Sequence, residues 1–122
     1  MITIKTTKTL DREFDISAIF DNEIFEIQYE KNVFGMSELD AVVTFILSSV
    51  FSGIAYDILK ICVKTLYNKM TSKGVNVIIK FTDLSFFKIS DEQIVLIDEG
   101  NEKHLKDINE MFSILESKIK KS

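Results

Sequence analysis

The 122-residue chain has no proline and no tryptophan, one cysteine (Cys62), one histidine (His104), one arginine (Arg12) and four glycines. A lone cysteine forms no internal disulfide, which fits a reducing compartment, and a cytoplasmic location is the expectation. A single histidine excludes a His-pair metal centre. His104 would also have to serve any Ser/His/Asp triad, yet no G-x-S-x-G elbow presents a serine, and its polar surroundings mark a solvated surface residue. The glycines lie too far apart for either phosphate-cradling loop. One arginine among fifteen basic residues, with a formal net charge of −4, argues against a nucleic-acid partner, because phosphate and guanine recognition draw on clustered Lys and Arg. The Met1 to Lys5 stretch lacks the charged region and long apolar run of a secretory signal.

Other chemistry is equally sparse. Asp98-Glu99-Gly100-Asn101-Glu102 is the densest acidic group, but its spacing fails the calcium-loop pattern. Glu116-Ser117-Lys118 is the only E-x-K tripeptide and falls on a helical pattern, whereas a nuclease needs it on a strand. Cys62 sits in an apolar run and reads as a small buried hydrophobe. No catalytic residue, metal site or cofactor is assigned.

What is present is apolar side chain: 46% hydrophobic and 11% aromatic residues, too much for disorder. The length suits one compact domain over 1–122. Ile2 and Ile4, then Phe14, Ile16 and Ala18, then Phe25, Ile27 and Tyr29 alternate with polar neighbours, predicting three antiparallel strands, with a hairpin at Asp21-Asn22-Glu23 joining the last two. Ser37, with Asp40 three residues on, is a helix start. Gly74, preceded by Lys69 and Lys73, is a helix stop. Val75 to Phe81, Phe86 to Ile89 and Ile94 to Ile97 predict three more strands, with turns at Thr82-Asp83 and Ser90 to Glu92. A last amphipathic helix opens near Asn101, with Leu105, Ile108, Phe112, Leu115 and Ile119 in a 3-4-3-4 stripe. The expected fold is α+β, with antiparallel sheet or sheets in βββα-βββα order.

The central run is the informative element. Ala41 to Tyr56 carries no charge. Read as one helix from Ser37 to Lys73 it would reach ~55 Å at ~1.5 Å per residue, so it kinks near Ser52-Gly53 or finds a partner. A transmembrane span near residues 41–63 is one reading, but the uncharged stretch falls short of the ~20 residues a bilayer requires, and the flanking strands belong together. The favoured reading is a buried helix whose apolar surface is covered by the fold or by a second copy. Phe45, Ser49, Gly53 and Tyr56 on this run, with Asp57 and Lys60 just beyond it, are the candidate interface or pocket residues. Tyr56, Asp57 and Lys60 share a helical neighbourhood. The expected function is a non-enzymatic protein-binding or adaptor module, self-associating through the central helix. The alternatives are a membrane-associated protein anchored by 41–63 and a small-molecule-binding domain.

Overall fold

The structure, a computed structural model, describes residues 2–20, 24–30, 42–47, 53–91 and 93–120. Seven strands are present: β1 Ile2–Thr6, β2 Phe25–Tyr29, β3 Val42–Ile46, β4 Asn76–Lys80, β5 Phe86–Ile89, β6 Ile94–Asp98 and β7 Asn101–Leu105. With them stand three helices: α1 Lys8–Phe14, α2 Gly53–Met70 and α3 Ile108–Lys120. The strands form one mixed sheet in the order β2-β1-β3-β4-β5-β6-β7. The fold is α+β, but the sheet is not purely antiparallel: β1 runs parallel to β2 and β3 parallel to β4, and the remaining neighbours are antiparallel.

Both parallel pairs are βαβ units, since a parallel neighbour requires a crossover and a helix is the usual one. The units point in opposite directions and step away from the adjacent β1–β3 pair on opposite sides. Right-handed crossovers then deliver α1 and α2 to the same face. The contacts agree. Lys69 Nζ donates to the Phe14 carbonyl at 3.1 Å, and Cys62 Sγ lies 3.9 Å from the Ile19 carbonyl oxygen. On the other flank Tyr56 Oη donates to the Phe112 carbonyl at 3.3 Å. So α2 lies between the α1 segment and α3.

Strand register explains why this face is the core. One row of directly opposed residues runs Ile27, Ile4, Phe45, Ile79, Phe87, Leu96, and another runs Val43, Val77, Ile89, Ile94, Leu105. Onto these rows α2 lays Leu59, Cys62, Val63, Leu66 and Met70, and α3 lays Met111, Phe112 and Leu115. The i, i+3, i+4, i+7, i+11 spacing of the α2 set is the apolar stripe of a helix packed on one side. Each such large side chain contributes about 1.5–3 kcal/mol when fully buried.

Four sequence expectations change. Phe14 to Ala18 is not a strand: Thr7 caps α1 by accepting from the Leu10 N–H at 3.1 Å, Leu10 and Phe14 stack one turn apart, and Asp15 closes the helix at φ 53°. A short 3-10 turn then buries Ile16. The apolar alternation there came from a helix face followed by a turn. Secondly, the continuous helix over 37–73 is divided. Val42 to Ile46, β-branched except at Phe45, forms the buried strand β3, since β-branched side chains pack readily on a pleated surface. The helix begins at Gly53, and its 18 residues span about 27 Å. Ser37 and Asp40 lie outside the described residues, as does the expected hairpin at 21–23. Thirdly, the alternative of a span over 41–63, already disfavoured by the sequence, meets no helix among the described residues long and apolar enough to cross a membrane, since that stretch contributes to both β3 and α2. Fourthly, the last helix starts later. Glu99 and Gly100, both at positive φ, make the two-residue turn of a β6–β7 hairpin, the geometry that twisted strands favour. The α3 helix then starts after Asp107, whose Oδ1 accepts from the Glu110 N–H at 2.9 Å. Glu110 in turn accepts from the Lys106 N–H at 3.1 Å, a capping-box variant.

Other readings hold. β5 spans Phe86–Ile89, and β4 and β6 fall where expected. Gly74 at φ 85° ends the α2 segment. There the Val75 N–H donates to the Met70 carbonyl and the Gly74 N–H to the Thr71 carbonyl, the Schellman pattern in which glycine takes the left-handed position.

One polar atom is anomalous: Thr6 Oγ1 is buried with no hydrogen-bond partner among the described residues. A buried hydroxyl left unpaired costs about 1–3 kcal/mol. Thr6→Val keeps the branched shape and removes the cost. It is expected to raise the urea midpoint by the equivalent of about 1 kcal/mol at unchanged slope. A lowered midpoint would show that the hydroxyl is satisfied in the native protein.

Candidate functional site

The six sequence candidates do not converge. Phe45 is fully buried on the core face, with its ring edge-on to Phe20 and Phe25 at centroid distances of 5.7 and 6.4 Å; it is a packing residue. Ser49 lies outside the described residues. Gly53 is the first residue of α2. Tyr56 and Lys60 both lean toward α3: the tyrosine donates to the Phe112 carbonyl, and the lysine ammonium sits 5.6 Å from the Phe112 ring centre. Burial is the main cause raising the Tyr56 phenol above its usual range, with the Glu116 and Asp57 charges adding to it. Asp57 points outward. These contacts join two helices. From Tyr56 onward the outward positions of α2 are Asp57, Ile61, Lys64, Thr65, Asn68 and Lys69, of which only Ile61 is apolar, at 64% exposure. Apart from Ile61, the apolar side chains described over that stretch turn inward.

Two polar clusters stand apart from the core. In the first, Asp83 accepts from the backbone N–H and the hydroxyl of Ser85. Lys118 Nζ reaches Asp83 at 3.3 Å and Ser85 Oγ at 3.0 Å, with the Phe81 ring centre 5.0 Å away. A serine beside a lysine invites a nucleophile–base reading, but Ser85 is only 1% exposed and its proton is directed at a carboxylate. The cluster ties the β4–β5 turn to α3. It also holds Leu84, 89% exposed at φ 71°, at the tip of that turn. The Ser85 hydrogen bonds, chiefly, hold the Asp83 carboxyl below its usual value.

In the second cluster, Asp11 accepts from Tyr29 Oη at 2.6 Å and from the Ser17 N–H at 2.8 Å. The shared tyrosine bond is the main cause lowering the Asp11 carboxyl and raising the Tyr29 phenol. Lys8 Nζ stands 5.9 Å from the same ring. This cluster fastens α1 to β2, the outermost strand on its side.

Little among the described residues invites a small ligand. A hollow of about 450 Å³ between β7 and α3, lined by Lys103, Glu110, Ser113, Ile114, Ser117 and Lys118, is open to solvent. No group of three His, Cys, Asp or Glu side chains among the described residues is placed to hold a metal ion. His104 is exposed, on β7. Cys62 is buried, and burial pushes its thiol up to about 11.

The sheet face opposite the helices is the surface that sequence reasoning missed. Its two rows run Glu26, Thr3, Ile46, Lys80, Phe86, Ile97, Glu102 and Gln28, Lys5, Thr44, Ile78, Lys88, Val95, His104. None of the three helices covers it. Ile46, Ile78, Phe86 and Ile97 are half-buried and Val95 is buried by its neighbours, and all five lie outside the core cluster. They make an apolar band across β3 to β6, with Lys80 and Lys88 set into it and carboxylates only at the outer strands. The available signal was the apolar character of both parities in β3 to β6, which marks strands without a fully solvated face.

Two outcomes follow. Because the folded Asp83 pKa is depressed, its contribution is fully present above the ordinary carboxyl value of 3.8 and is lost as pH falls through the lower folded value. Asp83→Asn is therefore expected to lower the urea midpoint at pH 7, with the gap to the native sequence closing progressively in acid. A gap independent of pH would place the effect elsewhere. Cys62 in the native protein is expected to resist iodoacetamide at pH 8 and to react fully in denaturing urea, since the thiolate is the nucleophile. Rapid native labelling would contradict the burial. Comparisons with protein-family models, with curated proteins and with solved structures find no match for this chain.

Proposed function

We propose that this chain is a non-enzymatic protein-binding module that self-associates and takes a protein partner on the open face of its sheet. The observation that carries the reading is the apolar band of Ile46, Ile78, Phe86, Val95 and Ile97, with Lys80 and Lys88 placed inside it. A band of this kind, charged at its margins and uncovered by any of the three helices, is the ordinary mark of an interaction surface. The two lysines choose the partner. A second copy docked face to face would press like charges together, which is costly at an interface. An apolar segment carrying carboxylates between its apolar groups meets both the band and the lysines.

The face favours protein over nucleic acid. It offers one aromatic side chain, no arginine, and carboxylates at both outer strands, whereas single strands are held by several stacking aromatics in a positive groove. Self-association belongs to the same reading but rests on the sheet, because the apolar residues described on α2 from Tyr56 onward, Ile61 excepted, turn into the core.

The test is an NMR titration with two synthetic peptides of equal apolar content, one with alternating Glu and one with alternating Lys. The Glu peptide is expected to bind at least tenfold more tightly, with the largest shifts at Ile78, Phe86, Val95 and Ile97 and weakening by salt. Phe86→Asp is expected to reduce that binding about tenfold with the fold retained. Equal binding of both peptides, shifts confined to the helices, or tighter binding of a single-stranded oligonucleotide at the same residues would overturn the reading.

A further inference from the structure

The sheet has two ends, and they differ. β7 at one end carries Glu102, Lys103 and His104, all exposed. A two-fold antiparallel pairing centred on its middle residue would set Lys103 against Lys103 of a second copy. A charged edge of this kind is how sheets discourage addition of another strand. β2 at the other end, FEIQY, has no lysine and no proline, and its single charge is not at the centre.

The hydrogen bonds to β1 fix which β2 groups face outward. The Ile2 N–H donates to the Ile24 carbonyl, and the Glu30 N–H donates to the Thr6 carbonyl, both at 2.8 Å. Backbone groups alternate sides along a strand, so the even positions of β2 turn toward β1. Phe25, Ile27 and Tyr29 direct their N–H and C=O groups away from β1, to the edge where no strand among the described residues pairs. An antiparallel second copy centred on Ile27 places Ile27 against Ile27 and Phe25 against Tyr29. Each such pair exchanges both of its N–H···O=C bonds. On the open face the same register puts Glu26 opposite Gln28 of the second copy, twice, with no like charges opposed. Shifting the centre by one residue leaves one outward residue on each chain without a partner within the strand and sets Glu26 against Glu26 or Gln28 against Gln28; shifting it by two leaves two.

We propose that two copies of this chain join through β2 in this register, making one continuous sheet. The inference rests on the self-association reading and gives it a surface. A two-fold axis normal to the sheet keeps both sets of helices on one side and both apolar bands on the other. The dimer thus presents two partner sites on a single platform and gains from multivalent ligands.

Gln28 supplies a test that leaves the core alone, since it is exposed. Within one chain it lies opposite Lys5, and across the proposed junction it lies opposite Glu26. Gln28→Glu is therefore expected to weaken the dimer about fivefold while leaving the monomer equally or more stable. Gln28→Lys is expected to tighten the dimer about fivefold while leaving the monomer equally or less stable. Sedimentation equilibrium gives the dimer constant, and urea unfolding at dilutions where the monomer dominates gives its stability. A native chain that stays monomeric at several hundred micromolar would overturn both self-association and this junction. A dimer whose constant ignores both substitutions, or shifts the same way with each, would overturn the junction alone.

Discussion

The position of β3 between β1 and β4 is the constraint on which the rest of this structure depends. It pairs antiparallel to β1 and parallel to β4, so it joins two βαβ units that point in opposite directions. That single placement brings α1 and α2 to one side of the sheet, since crossovers of the same hand from opposed strands end on the same face. It also puts Phe45 where three aromatic rings meet and a truncation would leave a cavity, a cost of about 3–5 kcal/mol for a buried phenylalanine. The antiparallel strands from β5 onward extend the sheet, and α3 returns to cover its core rows.

One-sided burial has a consequence for function. A sheet covered by helices on one face leaves the other to water, and a solvated face normally reads polar at every second residue. Here that alternation fails in β3, β4, β5 and β6. Ile46, Ile78, Phe86, Val95 and Ile97 occupy positions where a simple two-layer protein would place polar side chains. The polar clusters, by contrast, are latches: Asp83, Ser85 and Lys118 hold a turn against α3, and Asp11 with Tyr29 holds α1 against the outermost strand. Their shifted carboxyl groups report hydrogen bonds that fasten elements together.

Legibility in the sequence followed the range of the interactions. β5, β6, the Gly74 stop and the amphipathic stripe of α3 rest on neighbours a few residues apart and were readable. Two local signals were present but outweighed: the Thr7 cap with the Leu10/Phe14 pair, and the Glu99-Gly100 turn. In the first case an alternation of Phe14, Ile16 and Ala18 mimicked a strand; in the second an acidic cluster resembled a helix start. The run from Ala41 to Tyr56 was ambiguous for a deeper reason. A strand with apolar side chains on both faces and a buried helix show the same unbroken hydrophobicity, and only the β-branched content of Val42 to Ile46 separates them. Treating the run as one helix joined Phe45 to Tyr56, Asp57 and Lys60 as a candidate site, although they belong to different layers.

Composition and periodicity by themselves determined that this chain folds as α+β, that a His pair within one chain, an internal disulfide and glycine phosphate loops are closed to it, and where several strands and helix ends lie. Those properties depend on residue types and on contacts close in sequence. Tertiary structure alone decided that two strand pairs are parallel, that all three helices share one face, and that the apolar surplus lies on the opposite face of the sheet. Strand order and direction depend on pairings between residues far apart in the chain, which hydrophobic periodicity does not encode. The same apolar residue faces the helices in one register and the opposite side of the sheet in the next.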